Sequence, residues 1–300
     1  MLKLKEWIDN NNLQYSELSY NPQALSLLAQ NLDKINWYNL CCNPYGIDII
    51  EQNIDKLNRS CWDVLSSNSQ AINILLLNLD KINWDNLSKN ENPIAINMLS
   101  LNQDKINWYY LSGNPSAMSI LTQNLDKIRW DQFSRNTNPM AIDILDINLD
   151  KIDWHYLSRN PSAMSILSQN LDKVDWKLFS ENPRAISILS KNLDKVSWEH
   201  LSRNPQAINI LAFNLNKLNE IGWNNLSSNP YAISILENNL NKVNWNIIFF
   251  NPSIFEFDYD TMRNNCNIYK KELIEKALHP LRIQRYLDQG ISWEELDDIL

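Results

Sequence analysis

The sequence predicts an all-α protein, an α-solenoid of about ten to eleven two-helix repeats of 22 residues with N- and C-terminal caps. Tryptophan residues recur at spacings of 22 to 25 residues, and ten of the 11 proline residues open a unit. A fixed period of this length is typical of proteins that stack one small structural unit. Tyr15 takes the same place one unit earlier than the series Trp37, Trp62, Trp84, Trp108, Trp130, Trp154, Trp176, Trp198, Trp223 and Trp245.

The first half of each unit predicts a helix, as the unit over residues 182–203 illustrates. Asn182 followed by Pro183 is the pattern of an N-cap and a first helical residue, because proline disfavours helical geometry in the residue before it and needs no hydrogen-bond partner in a first turn. A helical wheel separates an apolar arc from a polar one, which is typical of a helix packed between neighbours. The apolar arc holds Ala185, Ile186, Ile188 and Leu189, and the polar arc holds Arg184, Ser187, Ser190 and Lys191.

The second half of the unit predicts a turn and a shorter helix. We expect Asn192 to end the first helix in the left-handed conformation, with Leu193 packing back against that helix. We expect Ser197 to cap a second helix over 198–202, whose tryptophan and leucine face inward. This division makes each unit a pair of helices.

Units longer than 22 residues support this division. Two residues are inserted before Asn92 and before Asn138, and three before Trp62 and before Trp223. These points are predicted helix junctions, where connections tolerate extra length. The alternative, a leucine-rich repeat, needs alternating apolar residues to form a strand, whereas the position of Ser187 is Ser, Asp or Asn in every unit.

The two ends of the chain are expected to differ from the repeats, because an open stack needs polar caps. We assign residues 1–20 to an N-terminal cap, residues 21–252 to the repeat solenoid and residues 253–300 to an acidic C-terminal helical cap. That cap is expected to hold helices near 268–278 and 281–288, a stop at Gly290, and a last short helix opened by a capping box of Ser292 and Glu295. Eleven layers at the usual helix spacing predict an elongated array about 100 Å long.

Composition limits the kinds of function that fit. The net charge of −8 argues against a general nucleic-acid binder, which normally carries a basic surface. Four cysteines without C-x-x-C spacing argue against a zinc site. The charged N-terminus does not match a secretory signal, and no apolar run reaches the length of a membrane span. The sequence therefore predicts a soluble, intracellular protein.

The repeated segments resemble a known group of proteins. The pattern Asn-Pro-x-Ala-Ile, followed by Asn-Leu-Asp-Lys-Ile-x-Trp-x-x-Leu-Ser, is similar to uncharacterised repeat proteins of mimivirus-like giant DNA viruses. The segment His279-Pro280-Leu281-Arg282-Ile283 is similar to the endings of those proteins. The resemblance covers roughly residues 15–300 and implies a viral protein that acts in an infected host cell. It implies no activity and no catalytic residue.

Three columns of polar residues recur along the repeats, and we interpret all three as architecture. In the Asp-Lys pairs, such as Asp80-Lys81, the Asp is expected to cap the turn and the Lys to compensate charge along the stack. The asparagines that precede these pairs are expected to act as helix stops; they are Asn31, Asn78, Asn124, Asn170 and Asn192.

The basic column Lys89, Arg135, Arg159 and Arg203 is expected to be neutralised by acids four residues away, namely Asp85, Asp131 and Glu199, which leaves Arg159 without such a partner. Lys177 and Glu181 form the same pair reversed.

The outer face of the first helices holds the candidate partner surface. Most units place polar pairs at their second and ninth positions, but two units place Ile94 with Leu101 and Met140 with Ile147 there. Leu77 and Phe213 extend the same column. Exposed apolar and aromatic side chains together are typical of an interface. The second helices of the same two units add Tyr109, Tyr110, His155, Tyr156 and Arg159.

Two alternatives to a binding role stay open for this surface. Residues 92–137 and 138–181 are near-copies of one double unit, so the second patch repeats the first by inheritance. The inserted residues could also fold over the apolar side chains and bury them.

The sequence contains no motif of an enzyme, no nucleophile motif and no phosphate loop. We expect the three histidines to be surface or capping residues, and we expect no cofactor and no metal. The predicted function is a non-enzymatic scaffold or adaptor for an unidentified protein partner in the host-cell cytoplasm. The alternatives are a repeat protein that binds RNA or single-stranded nucleic acid, and a structural component of the virion.

Overall fold

The computed structural model describes residues 2–292 and confirms an all-α helical repeat fold. Two compact units are present, residues 6–254, which contain the repeats, and residues 2–5 together with 255–292. Each repeat consists of a first helix that follows the repeat-opening asparagine and a second helix that contains the tryptophan. The first helices are Leu25–Ala29, Ile47–Glu51, Ile72–Leu76, Pro93–Leu101, Met118–Leu121, Pro139–Asp146, Met164–Gln169, Ile186–Leu189, Ile208–Ala212 and Ile233–Glu237.

The second helices are Tyr15–Tyr20, Trp37–Cys42, Arg59–Leu65, Trp84–Leu87, Trp108–Ser112, Trp130–Phe133, Trp154–Ser158, Trp176–Glu181, Trp198–Leu201 and Glu220–Ser227. The last repeat has the 3₁₀ turn Ile247–Phe250 in this place. The three residues inserted before Trp62 and before Trp223 lengthen the second helices in front of the tryptophan, and they bury its side chain. Since Tyr15–Tyr20 is already a second helix, the repeats begin before the predicted residue 21.

Short 3₁₀ turns complete the repeats. Four of them precede first helices, at Ser69–Ala71, Pro115–Ala117, Pro161–Ala163 and Pro230–Ala232, and Pro252–Ile254 follows the last repeat. The turns between first and second helices include Leu32–Lys34, Ile54–Lys56, Leu79–Lys81, Gln103–Lys105, Leu125–Lys127, Leu215–Lys217 and Leu240–Lys242.

The hydrophobic core follows the predicted wheel. Ala185 and Leu189 of the first helix and Leu201 of the second are fully buried, whereas Arg184 and Ser187 are exposed. The same three buried positions recur along the array. Most tryptophans are half-buried rather than inward-facing, so the leucines of the second helices contribute more to the core than the tryptophans do.

The turn after the first helix differs from the prediction. No described residue except Gly290 has a positive φ, so Asn192 is not in the left-handed conformation. Its side-chain amide instead donates to the carbonyl of Ile188 in the last turn of the helix, over 2.9 Å. Ser197 makes no capping bond, because its hydroxyl contacts the Nδ1 atom of His200. Asparagine or aspartate caps the second helix in other repeats, as Asp175 does.

A ladder of buried asparagines joins the repeats. Each asparagine of the ladder donates two side-chain hydrogen bonds, one to the carbonyl of the preceding ladder asparagine and one to the carbonyl two residues before that asparagine. Asn136, for example, donates to Asn114 over 3.1 Å and to Ser112 over 3.0 Å. The ladder consists of Asn21, Asn43, Asn68, Asn90, Asn114, Asn136, Asn160, Asn182, Asn204, Asn229 and Asn251.

The ladder returns to its own beginning within residues 6–254. Asn21 donates to the carbonyls of Phe249 and Asn251, over 2.9 and 3.1 Å. Trp7 lies edge-on to Trp245 with ring centroids 6.0 Å apart. The expectation of an open, elongated array is therefore wrong, because the last repeat packs on the first as interior repeats pack on each other.

The smaller unit contains the two described strands, Leu2–Leu4 and Phe255–Phe257, which pair antiparallel with Leu2 opposite Phe257. Glu256 lies 3.7 Å from the ammonium group of Lys3 and 3.5 Å from that of Lys5.

The C-terminal helices are Tyr259–Ala277 and Pro280–Asp288. The first begins nine residues before the predicted 268, because Asp258 caps it through the amide of Thr261. The predicted separation of the two helices and the stop at Gly290, whose φ is +84°, are confirmed. The predicted last helix lies outside the described residues.

Candidate partner-binding surface

The two-residue insertions separate two tasks that one asparagine performs elsewhere. In an ordinary repeat, the opening asparagine is both the ladder residue and the N-cap of the following turn, as Asn182 is. In the inserted repeats, Asn90 and Asn136 serve the ladder, while Asn92 and Asn138 cap the helix. Pro93–Leu101 and Pro139–Asp146 are consequently the longest first helices of the array.

The apolar residues predicted on the outer face are exposed. The exposed fraction is 77% for Leu101 and 81% for Ile147, and Ile94 and Met140 are about half exposed. Leu77 and Phe213, at the equivalent of Leu101 in other repeats, are 87% and 89% exposed. The alternative in which the inserted residues bury this column is therefore wrong. We call Leu77, Leu101, Ile147 and Phe213, with Ile94 and Met140, the outer apolar column.

The aromatic pairs of the same two repeats lie elsewhere. Tyr109 packs edge-on against Tyr110 at 5.4 Å between centroids, and His155 packs in the same way against Tyr156 at 5.3 Å. They line two adjoining pockets, of about 620 and 390 Å³, that share Arg135 and Thr137. We call these pockets together the cationic groove. Residues of the outer apolar column do not line it.

Each half of the cationic groove holds a cation over a tyrosine ring. The ammonium group of Lys89 lies 3.8 Å from the ring centroid of Tyr110, and the guanidinium group of Arg135 lies 5.3 Å from that of Tyr156. Their spacing of 46 residues makes these two contacts equivalents in the duplicated double unit. Burial lowers the pKa of Lys89, and the carboxylate of Asp85 offsets part of that effect.

The acids predicted to neutralise the basic column do not form ion pairs with it. No described ion pair joins Lys89, Arg135 or Arg203 to an acid four residues away, although Asp85 still acts on Lys89 electrostatically. Two of these acids, Asp85 and Glu199, instead contact asparagines of the next repeat. Asp85, for example, accepts a bond from the side chain of Asn107 over 2.9 Å. Among the described ion pairs there is also none between Lys177 and Glu181.

Glu181 instead binds two arginines of the neighbouring repeats. The Nε atom of Arg159 lies 2.9 Å from its Oε2 atom, and the Nη1 atom of Arg203 lies 3.3 Å from its Oε1 atom. The carboxylate is buried, while more than half of each arginine side chain is exposed. Arg159 thus has an acidic partner 22 residues away, and the cluster keeps one surplus positive charge.

The lysines of the Asp-Lys pairs have a role that sequence reasoning missed. Each of six lies over the aromatic ring of the preceding second helix, as Lys105 does at 4.4 Å from the centroid of Trp84. The other contacts join Lys34 to Tyr15, Lys127 to Trp108, Lys151 to Trp130, Lys173 to Trp154 and Lys195 to Trp176. In residues 2–292 the Asp side chains of these pairs make no capping bond; Asp80 contacts Lys81 at 3.0 Å. Lys and Trp recur with the same period in the sequence, and this pattern is the one that could have predicted their contact.

The histidine of the groove is tied to the next repeat. The Nδ1 atom of His155 lies 2.7 Å from a carboxylate oxygen of Asp175. Burial opposes ionisation of Asp175, but the bonds from His155 and from the amides of Leu178 and Lys177 outweigh burial and lower its pKa. His155 is an exposed surface residue, as expected.

Comparison with known protein families, curated proteins and solved structures finds no match to this chain. Within residues 2–292, no group of His, Cys, Asp or Glu side chains is placed to hold a metal ion. None of the described helices combines the length and the apolar character that a bilayer crossing requires.

Proposed function

We propose that this protein is a non-enzymatic scaffold or adaptor that binds a protein partner through the outer apolar column. The exposure of Leu77, Leu101, Ile147 and Phe213 carries this proposal. Equivalent positions of successive repeats lie next to each other along the array, so Leu77 and Leu101 are neighbours on its surface. Apolar side chains are what the centre of a protein interface buries.

The resemblance to repeat proteins of giant DNA viruses supports a place of action inside an infected host cell. In such a cell, an array of rigid repeats can bind a partner on its surface without catalysing a reaction. Incorporation into the virion is the competing assignment.

Affinity purification from infected cells tests the proposal. The tagged chain is compared with a variant in which Ile94, Leu101, Met140 and Ile147 are replaced by Ser. The control variant carries Gln123→Ser and Gln169→Ser, at exposed equivalents of Leu101 in polar repeats. We expect a protein partner that the wild type and the control retain and the quadruple variant loses.

Circular dichroism must show the same helix content in all three proteins, because all the substituted side chains are exposed. A partner set that is identical for the three proteins overturns the proposal. Recovery of virion proteins alone would favour a structural component of the particle.

A further inference from the structure

We infer that the cationic groove binds a phosphorylated side chain of an extended peptide, with the phosphate in the half lined by Arg135, His155 and Arg159. This half has a volume of about 390 Å³ and no Asp or Glu among its lining residues, although His155 contacts the carboxylate of Asp175 and Arg159 that of Glu181. Its other lining residues are Thr137, Tyr156, Asn160, Pro161 and Leu178. The groove shares no residue with the outer apolar column.

Arg135 is held in place without an acidic partner. Its guanidinium group lies over the ring of Tyr156, and its Nη1 atom donates to the amide oxygen of Gln132 over 3.3 Å. No carboxylate among the described residues pairs with it within 4.0 Å. A guanidinium group has five N–H donors, so most of those of Arg135 are left for a ligand.

Gln132 is itself oriented by the fold. Its side chain is buried, and its Nε2 atom donates to the hydroxyl of Tyr109 over 2.8 Å. A chain of bonds therefore runs from Tyr109 through Gln132 to Arg135 and fixes the cation before any ligand arrives. Pre-positioned cations lose less side-chain entropy on binding.

Arg159 supplies the second cation of this half. Its Nε atom contacts Glu181, but Glu181 is shared with Arg203, so two arginines face one buried carboxylate. A local surplus of positive charge on a chain of net charge −8 is a specific feature rather than a general basic surface. Paired guanidinium groups suit phosphate because each can donate two parallel hydrogen bonds.

The second half of the groove suits the peptide that carries the phosphate. It is about 620 Å³ in volume and is lined by Lys89, Glu91, Tyr109 and Tyr110 among others. The opposite charges of Lys89 and Glu91 and the exposed side chain of Tyr109 favour a chain of mixed polarity over a continuous polyanion. Nucleic acid is the less favoured ligand, since its affinity depends on neutralising many phosphates in succession.

Binding of a degenerate peptide library with a fixed central phosphoserine tests this inference, beside identical libraries with serine or glutamate at that place. We expect the full-length protein to retain the phosphoserine library at least about tenfold better than the serine library, since hydrogen bonds to charged groups are involved. Arg135→Gln should remove this preference, and Arg135→Lys should restore only part of it. Arg184→Gln, at an exposed position outside the groove, is the matched control and should retain the preference.

Several outcomes overturn the inference. They are equal retention of the phosphoserine and serine libraries, equal retention of the phosphoserine and glutamate libraries, or an Arg135→Gln variant that binds like the wild type. If inorganic phosphate displaces the phosphopeptide at an equal concentration, the groove binds any small anion and the inference is overturned. Stronger binding of a single-stranded RNA oligomer in the same groove would favour nucleic acid.

The four substitutions of the outer apolar column should leave phosphopeptide binding unchanged. Failure of the scaffold proposal and failure of this inference are therefore distinguishable. Arg159→Gln is a second variant that should lose the preference for the phosphoserine library. Its thermal unfolding shows whether the contact with Glu181 also contributes to stability.

Discussion

The side-chain amide of Asn21 donates a hydrogen bond to the carbonyl oxygen of Asn251 over 3.1 Å, although 230 residues separate them. The same bond joins each neighbouring pair of the asparagine ladder, for example Asn136 and Asn114. An open array must protect its two end surfaces with special capping repeats. Here the first and last repeats cover each other within residues 6–254.

Loss of one ladder asparagine should weaken the fold strongly. Asn136→Ala removes the donors to the carbonyls of Ser112 and Asn114. We expect the free energy of unfolding to fall by about 2–4 kcal/mol. The buried carbonyl of Ser112 left unpaired costs about 1–3 kcal/mol, and the bond to Asn114, whose carbonyl keeps the amide of Ala117, contributes about 1 kcal/mol more. Urea denaturation measures the change. The control Asn73→Ala, at an exposed helix position, should stay within about 0.5 kcal/mol of the wild type.

The contact between Trp7 and Trp245 should show energetic coupling. A double-mutant cycle with Trp7→Ala and Trp245→Ala is expected to give about 0.5–1.5 kcal/mol, which is the usual value for an edge-to-face aromatic pair. Equilibrium unfolding of the two single variants and the double variant provides the numbers. Strictly additive effects would mean that the ends of the repeat array do not meet in solution.

Removing one lysine from above a tryptophan should cost a modest amount of stability. Lys105→Gln deletes the cation over the ring of Trp84. Cation–π contacts at exposed sites contribute about 0.5–1 kcal/mol, and we expect a loss of that size. Lys191→Gln, at an exposed position with no described contact to an aromatic ring, is the matched control. Equal losses in the two variants would show that net charge, not the ring contact, is responsible.

Acid should weaken the contact between His155 and Asp175. The pKa of Asp175 is lowered in the folded chain, so its contribution to stability is complete above the unfolded-state pKa of about 3.9 and is lost as the pH falls through the lower folded-state pKa. The variant Asp175→Asn should therefore show a smaller loss of stability than the wild type below about pH 4. Urea unfolding at pH 6 and at pH 3 tests this. Asp143→Asn, at an exposed carboxylate, should follow the wild type, and identical pH profiles of all three proteins would contradict the assignment.

Much of the candidate site could be predicted from the sequence. Exposure of Leu101 and Ile147 follows from the helical wheel, because a periodicity of 3.6 residues decides which side faces solvent. The capping role of Asn182 follows equally from local rules. The partners of Arg159 and Arg203 did not follow, because local rules describe residues up to four positions apart whereas Glu181 lies 22 positions from each of them.

The cationic groove was found only in part for the same reason. The sequence groups Tyr109, Tyr110, His155, Tyr156 and Arg159 with the outer apolar column because they belong to the same two repeats. The structure separates them from that column, because the first and second helices present different faces. The sequence places Lys89 and Arg135 in a basic column interpreted as neutralised and gives no role to Gln132, since their importance arises from contacts across repeats.

The sequence by itself determined the repeat length, the two helices of each repeat and the residues of the core. These features depend on residue patterns that act over about one helical turn. Only the tertiary structure decided that the array closes, which residues bridge neighbouring repeats and which candidates share a groove. Closure depends on the small rotation between successive repeats, summed over the whole array. No local pattern encodes that sum, whereas the bond from Asn21 to Asn251 records it directly.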